Sequence, residues 1–179
     1  VLRISLTDVN GMGVDELCLP FEHAPADAPP GDAAAKSPLV IREEYTLTGH
    51  ATRIIGGEFE LALDQDSGQL RRCVAFGEPA LLELPAPHLL PSGAPFSPLP
   101  DRATWRVQTV AVQAAGEDVR AVVTGAWDRL AGRCELRVTP AGEITATWDF
   151  ENTGPDVWVR EVGLRLALPR TFDRLEWSR

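Results

Sequence analysis

Apolar and polar residues alternate with period two along most of this chain, and no stretch sustains the 3.6-residue period of a helix. Successive side chains of a strand point to opposite faces, so this alternation specifies half-buried strands in antiparallel sheets. In "EITATWDFE", Ile144, Ala146, Trp148 and Phe150 share one face, while Glu143, Thr145, Thr147, Asp149 and Glu151 share the other. "RCELRVTP" repeats the pattern with Cys134, Leu136 and Val138 inward. The "TPAGE" between them, 139–143, reads as a hairpin turn in which Gly142 is free to take positive φ. A second hairpin runs through "GEFELALDQDSGQLRRCVAFG": Phe59, Leu61 and Leu63 point one way, "QDSG" turns, and Leu70 leads the return strand. The expected fold is all-β, with antiparallel sheets packed as a large sandwich.

Two long strands change phase. In "VWVREVGLRLAL", Val157 and Val159 share one parity, while Val162, Leu164, Leu166 and Leu168 share the other. One extra residue near Arg160–Glu161, a β-bulge, accounts for the switch. In "WRVQTVAVQA", Trp105 and Val107 give way to Val110 and Val112 in the same manner. "GAWDRLAGR" holds one helical turn at most.

Two stretches break the strand rhythm. "HAPADAPPGDAAAKSP", 23–38, is rich in Ala and Pro and reads as a linker. "LPAPHLLPSGAPFSPLPD", 84–101, has six prolines and is expected to stay out of any sheet, because proline lacks the N–H. Residues 1–22 then read as the last two strands of a preceding sandwich, and 39–179 as most of a second β domain. Phe172, Leu175 and Trp177 continue the strand pattern to the last residues, and "VLRISLTD" opens in it. A piece of a longer protein is therefore expected, with 39–179 truncated at its C-terminus.

A chain of 179 residues buries roughly 70% of its unfolded surface, so it needs neither disulfide nor metal to fold. Net charge is −9 and the pI about 4.8, which argues against nucleic-acid and anionic-membrane partners, since both need a basic patch. Cys18, Cys73 and Cys134 are widely spaced among apolar residues, and they read as buried free thiols rather than a disulfide framework or a zinc site. Nothing approaches the roughly 18 apolar residues of a membrane-spanning helix. A cytoplasmic parent is expected.

The stretch "GGEFELALDQDSGQLRRCVAFGEPALLELPAPHLL" resembles the opening of the C-terminal β-sandwich of family 2 glycoside hydrolases, the β-galactosidases. The family's "G-x-F-x-L-x-F-D-x-x-x-G-x-L" strand and "G…LL…P-x-P" segment are matched by Gly57, Phe59, Leu61, Asp64, Gly68, Leu70, Gly77, Leu81, Leu82, Pro85 and Pro87. "LALPRTFDRLEWSR" is similar to the family's "L-P-x-x-x-x-x-L-x-W-x-G-x-G-P" through Leu168, Pro169, Leu175 and Trp177. Where the family often carries "W-R-A-P-T-D-N-D", this chain has "HLLPSGAPFSPLPD", keeping a proline-rich segment and a final Asp101. The resemblance implies a galactose-mutarotase-like supersandwich over 39–179, with 1–22 ending an Ig-like domain. It also implies a parent that hydrolyses terminal β-galactosides or related glycosides. Such a parent uses magnesium or sodium with ligands outside this chain. The implied partners are carbohydrate through the parent, other domains of the same polypeptide, and a second copy in a homo-oligomer.

A retaining glycosidase needs two carboxyl groups about 5–5.5 Å apart. In the family both resemble glutamates of a (β/α)₈ barrel, and no alternating β-α pattern occurs here. No catalytic residue is expected in this chain. Glu143, Asp149 and Glu151 lie on a face opposite the apolar residues and read as solvated, and Glu43–Glu44 falls on opposite faces. His23, His50 and His88 lack a His or Cys at ligand spacing, so no metal site is expected. "IIGG", 54–57, precedes a strand and reads as a turn rather than a phosphate loop. Aromatic faces stack on sugar rings. Trp105, Trp127 and Trp148 read as core, whereas Trp158 lies between Val157 and Val159 on the opposite face. Trp158 is the leading candidate for a sugar-stacking or domain-interface residue. Trp177 is a candidate contact with other parts of the parent, and His88 and Asp101, flanking the proline-rich loop, are candidates to hydrogen-bond a sugar hydroxyl. The alternative is a stand-alone carbohydrate-binding sandwich.

Overall fold

The computed structural model describes residues 2–7, 13–19, 37–47, 49–92, 97–156 and 158–170. In chain order its strands are β1 (Leu2–Thr7), β2 (Gly13–Leu19), β3 (Val40–Thr46), β4 (Gly49–Ile55), β5 (Phe59–Asp64), β6 (Leu70–Ala75), β7 (Glu78–Pro79), β8 (Ala86–Pro91), β9 (Arg106–Ala115), β10 (Asp118–Ala126), β11 (Leu130–Val138), β12 (Ile144–Asn152) and β13 (Val159–Arg165). The only helical element among the described residues is a 3₁₀ turn at Arg102–Thr104. The expected all-β class is the observed one.

Six strands form one sheet in the order β2-β1-β12-β11-β10-β9, five form a second in the order β3-β4-β5-β6-β7, and β8 pairs with β13 in a two-stranded ribbon. One core joins the two large sheets: Ile54, Leu61 and Leu63 of the second sheet pack with Val123, Leu136 and Ala146 of the first. That is sheet-on-sheet packing, in which alternate residues of each sheet interdigitate. β10 shows why this sequence takes it. Val119, Ala121 and Val123 are buried in strict alternation with half-buried neighbours. Burying each such Val or Leu contributes about 1.5–3 kcal/mol. β12 presents Ile144, Ala146, Trp148 and Phe150 to the same side as expected, leaving Thr147, Asp149 and Glu151 exposed.

Both hairpins stand where the alternation put them. Gly142 takes φ +80° in the β11–β12 turn, and Gly68 takes φ +66° in the β5–β6 turn. Asp64, one of the motif residues, holds the latter turn together. Its Oδ1 accepts from the amides of Asp66 (3.0 Å) and Ser67 (2.8 Å) and from the Ser67 hydroxyl (3.0 Å), while Oδ2 accepts from Arg71 (2.5 Å). "GAWDRLAGR" is the β10–β11 hairpin rather than a helical turn. Both phase changes are bulges. Val159 pairs with Pro91 and Glu161 with Leu90, leaving Arg160 extra, and Thr109 and Val107 oppose Thr124 and Gly125, leaving Gln108 extra.

The proline-rich segment departs from expectation, because β8 is a paired strand. The reason is parity. The Leu89 N–H donates to the Leu99 carbonyl (2.8 Å), away from β13. Pro87 and Pro91 stand two residues to either side, so their nitrogens face the same way, and the β13 ladder needs no N–H from them. At the chain start, β1 pairs in parallel with β12, at Leu2–Ile144 through Ile4–Ala146. The linker residues 23–36 lie outside the described residues.

Candidate functional site

A cleft of about 440 Å³ is lined by Gln69, Glu83, Ala86, Arg102, Trp105 and Trp127, with Leu70 and Leu84 at its apolar side. Four separate segments build it. Asp101 caps the 3₁₀ turn, its Oδ1 accepting from the Ala103 amide (3.0 Å). The turn delivers Arg102 and then Trp105 to the cleft. Thr104 ties this segment to the β10–β11 hairpin, since its hydroxyl donates to the Asp101 carbonyl (2.7 Å) and accepts from the Asp128 amide (3.1 Å). Trp127 is thereby held beside Trp105, with ring centroids 4.5 Å apart and planes tilted 47°. Trp148 backs Trp127 at 5.7 Å.

These indoles differ in their polar edges. Trp105 Nε1–H donates to the Ser67 carbonyl (2.7 Å), and Trp148 Nε1–H donates to the Pro85 carbonyl (2.7 Å). Trp127 is only 8% exposed, yet its N–H has no acceptor among the described residues. Across the cleft, Glu83 pairs with Arg102. Burial, and then the nearby Arg165 guanidinium, hold the Arg102 guanidinium below its ordinary value.

Among the described residues Glu83 is the one carboxylate lining the cleft. Others are engaged elsewhere. Glu43 accepts from Thr52 Oγ1 (2.9 Å) and meets His50 Nε2 at 2.5 Å, and Glu44 lies 3.6 Å from Arg53. Asp149 and Glu151 face solvent. Among the described residues no group of three or more His, Cys, Asp or Glu is placed to hold a metal ion. Cys73 and Cys134 are buried free thiols. Burial pushes the Cys73 thiol up to about 11, and burial with the Glu135 charge pushes Cys134 higher still, so neither supplies a thiolate nucleophile. Ile54–Gly57 leads through a turn into β5, with the Gly56 amide donating to the Phe59 carbonyl (2.9 Å). Among the described residues no helix is long and apolar enough to cross a membrane.

The residues singled out in the sequence are not brought together. Trp158 is 88% exposed, its carbonyl accepting from the Ser92 amide (2.7 Å) at one end of the β8–β13 ribbon. His88 sits opposite Gly163 inside that ribbon, four residues from Ser92, roughly 13 Å at about 3.3 Å per residue. Asp101 serves as a cap, one residue from the cleft-lining Arg102. Trp177 and Leu175 lie outside the described residues, as do 93–96 of the proline-rich segment. Sequence reasoning missed the cleft itself. Trp105 and Trp127 read as core in the sequence, and Trp127 is indeed buried, but both also line the cleft. One signal is in the sequence: each stands at a junction, Trp105 after the proline-rich stretch and Trp127 in a hairpin connection. No protein-family model matches the chain, and no curated protein matches it.

Proposed function

We propose that this chain is a non-catalytic β-sandwich from a β-galactosidase-like glycoside hydrolase, scaffolding the catalytic barrel of its parent or edging the barrel's cleft. One observation carries the reading: among the described residues an indole-walled cleft of ligand size holds a single carboxylate, and that carboxylate is already paired with Arg102. Retaining and inverting glycosidases both need two. The ordered motif residues from Gly57 to Pro87 supply the link to the family. Trp158, Val159 and Val162 are exposed apolar residues at and along the ribbon, and they suit contact with another domain. The parent's galactoside hydrolysis, and its magnesium or sodium, belong to residues outside this chain on this reading.

The chain alone is expected to release nothing from a chromogenic galactoside. Turnover above buffer removes the reading. A stand-alone carbohydrate-binding module is the second reading, favoured by the 88% exposure of Trp158. Titration with galactose, lactose and polymeric glycans separates the two. Micromolar binding of a polymeric glycan, lost in Trp158→Ala, favours the module, and silence leaves the scaffold.

A further inference from the structure

We propose that the cleft between Trp105, Trp127, Glu83 and Arg102 binds a single saccharide ring carrying an anionic substituent, a carboxylate or a sulfate. The inference deepens the carbohydrate reading and rests on it for the ligand being a sugar. The choice of an anionic sugar comes from the cleft.

Its size fits: small-ligand sites run about 300–1,000 Å³, and this one is about 440 Å³. The composition fits as well. Such sites join apolar and aromatic walls to a few fixed polar groups. Here the walls are Trp105 and Trp127, and the polar groups are Gln69, Glu83, Arg102 and the unpartnered Trp127 N–H. That N–H is a solvent-accessible donor on a nearly buried, cleft-lining side chain, with no acceptor among the described residues. A ring hydroxyl accepts from it. Gln69 is exposed and free to turn toward a second hydroxyl.

The charge preference follows from β13. Arg165 pairs with Ala86, and opposed residues of an antiparallel ladder project to the same face. Ala86 lines the cleft, so Arg165 stands at its mouth beside Arg102. Glu83 balances Arg102, and Arg165 has no ion-pair partner among the described residues. Among the described residues the mouth thus carries one positive charge without an ion-pair partner, on a chain of net charge −9. A guanidinium fork matches a carboxylate or sulfate in two parallel hydrogen bonds.

The test is titration of the full chain with methyl β-galacturonide, galactose 6-sulfate and neutral methyl β-galactoside. The ¹⁵N-resolved indole N–H signals of the five tryptophans are followed, and Trp127 is assigned by its absence in Trp127→Phe. The expected result is a shift of the Trp127 signal, with at least one anionic sugar binding about tenfold or more tighter than the neutral one. Raised salt should weaken that preference. Response to only one of the two anions supports the proposal and tells carboxylate from sulfate. Arg165→Gln should erase the preference, and Gln69→Ala should weaken all three ligands. Both alter exposed side chains, so the test stands even where Trp127→Phe fails to fold. Equal affinity for neutral and anionic sugars overturns the proposal, as does a preference that survives Arg165→Gln, or no binding of any of the three. None of these results bears on galactoside turnover, so the cleft and the non-catalytic reading fail separately.

Discussion

Gly125 decides where Trp105 can lie. A Cβ at this position would stand 2.2 Å from Trp105 Cη2 and 2.7 Å from the Arg106 carbonyl oxygen. Neither contact is possible for real atoms, and the carbonyl belongs to backbone that cannot swing aside. The missing side chain lets the indole lie against β10, where its N–H reaches Ser67 and its ring meets Trp127. Gly125→Ala is therefore expected to expel the ring. Overpacking of this kind typically costs about 1–3 kcal/mol. Urea unfolding should show a loss in that range, and the Trp105 indole N–H should lose its protection from exchange. Unchanged stability together with an unchanged Trp105 signal would mean that the ring is not seated on Gly125. The consequence reaches the cleft, since Trp105 is one of its walls.

At the scale of the element, β8 shows how proline and pairing coexist. Only every second residue of an antiparallel strand donates to a given neighbour. Leu89 donates to Leu99, and Pro87 and Pro91 share its parity, so the N–H groups facing β13 come from His88 and Leu90. Leu90→Pro is then expected to strip a donor from the ladder opposite Glu161. The carbonyl left without its partner costs about 1–3 kcal/mol. Hydrogen exchange should show faster exchange confined first to β8 and β13. A variant with native exchange in both strands would contradict the assigned parity. The same element marks the limit of legibility. The bulges at Gln108 and Arg160 could be read from the sequence because a parity switch between Val107 and Val110, or Val159 and Val162, is a local signal. Proline's missing N–H is local too, but its effect depends on which neighbour the nitrogen faces, and that neighbour is far along the chain. The cleft was illegible for a related reason: its walls come from 69–70, 83–86, 102–105 and 127, which meet only through packing between sheets.

For the whole molecule, one core spanning two sheets couples local charges to global stability, since losing a turn in one sheet loosens both. Asp64 is the point where this can be read. Burial alone would raise its carboxyl, but the Ser67 amide, then the Arg71 side chain and the Ser67 hydroxyl, outweigh burial and hold it below the usual carboxylate range. Glu135 is also held low, first by its hydrogen bond from Arg120, with burial opposing and the charges of Arg120 and Arg133 adding. A carboxylate depressed in the folded state binds its proton more readily in the unfolded chain. Its stabilisation is thus fully present above the unfolded value, about 3.9 for Asp, and is lost as pH falls through the lower folded value. The two groups therefore contribute no slope between pH 7 and 5, and a decline that begins near pH 4 and steepens below it. Asp64→Asn keeps an oxygen for the turn amides but cannot bind a proton in this range or pair in charge with Arg71. It should be less stable at pH 7, and its urea midpoint should fall less steeply below pH 4 than that of the parent chain. Parallel acid slopes in the two proteins would show that Asp64 has the same proton affinity folded and unfolded. Burial of the carboxyl would then cancel everything that the Ser67 and Arg71 bonds contribute to keeping it ionised.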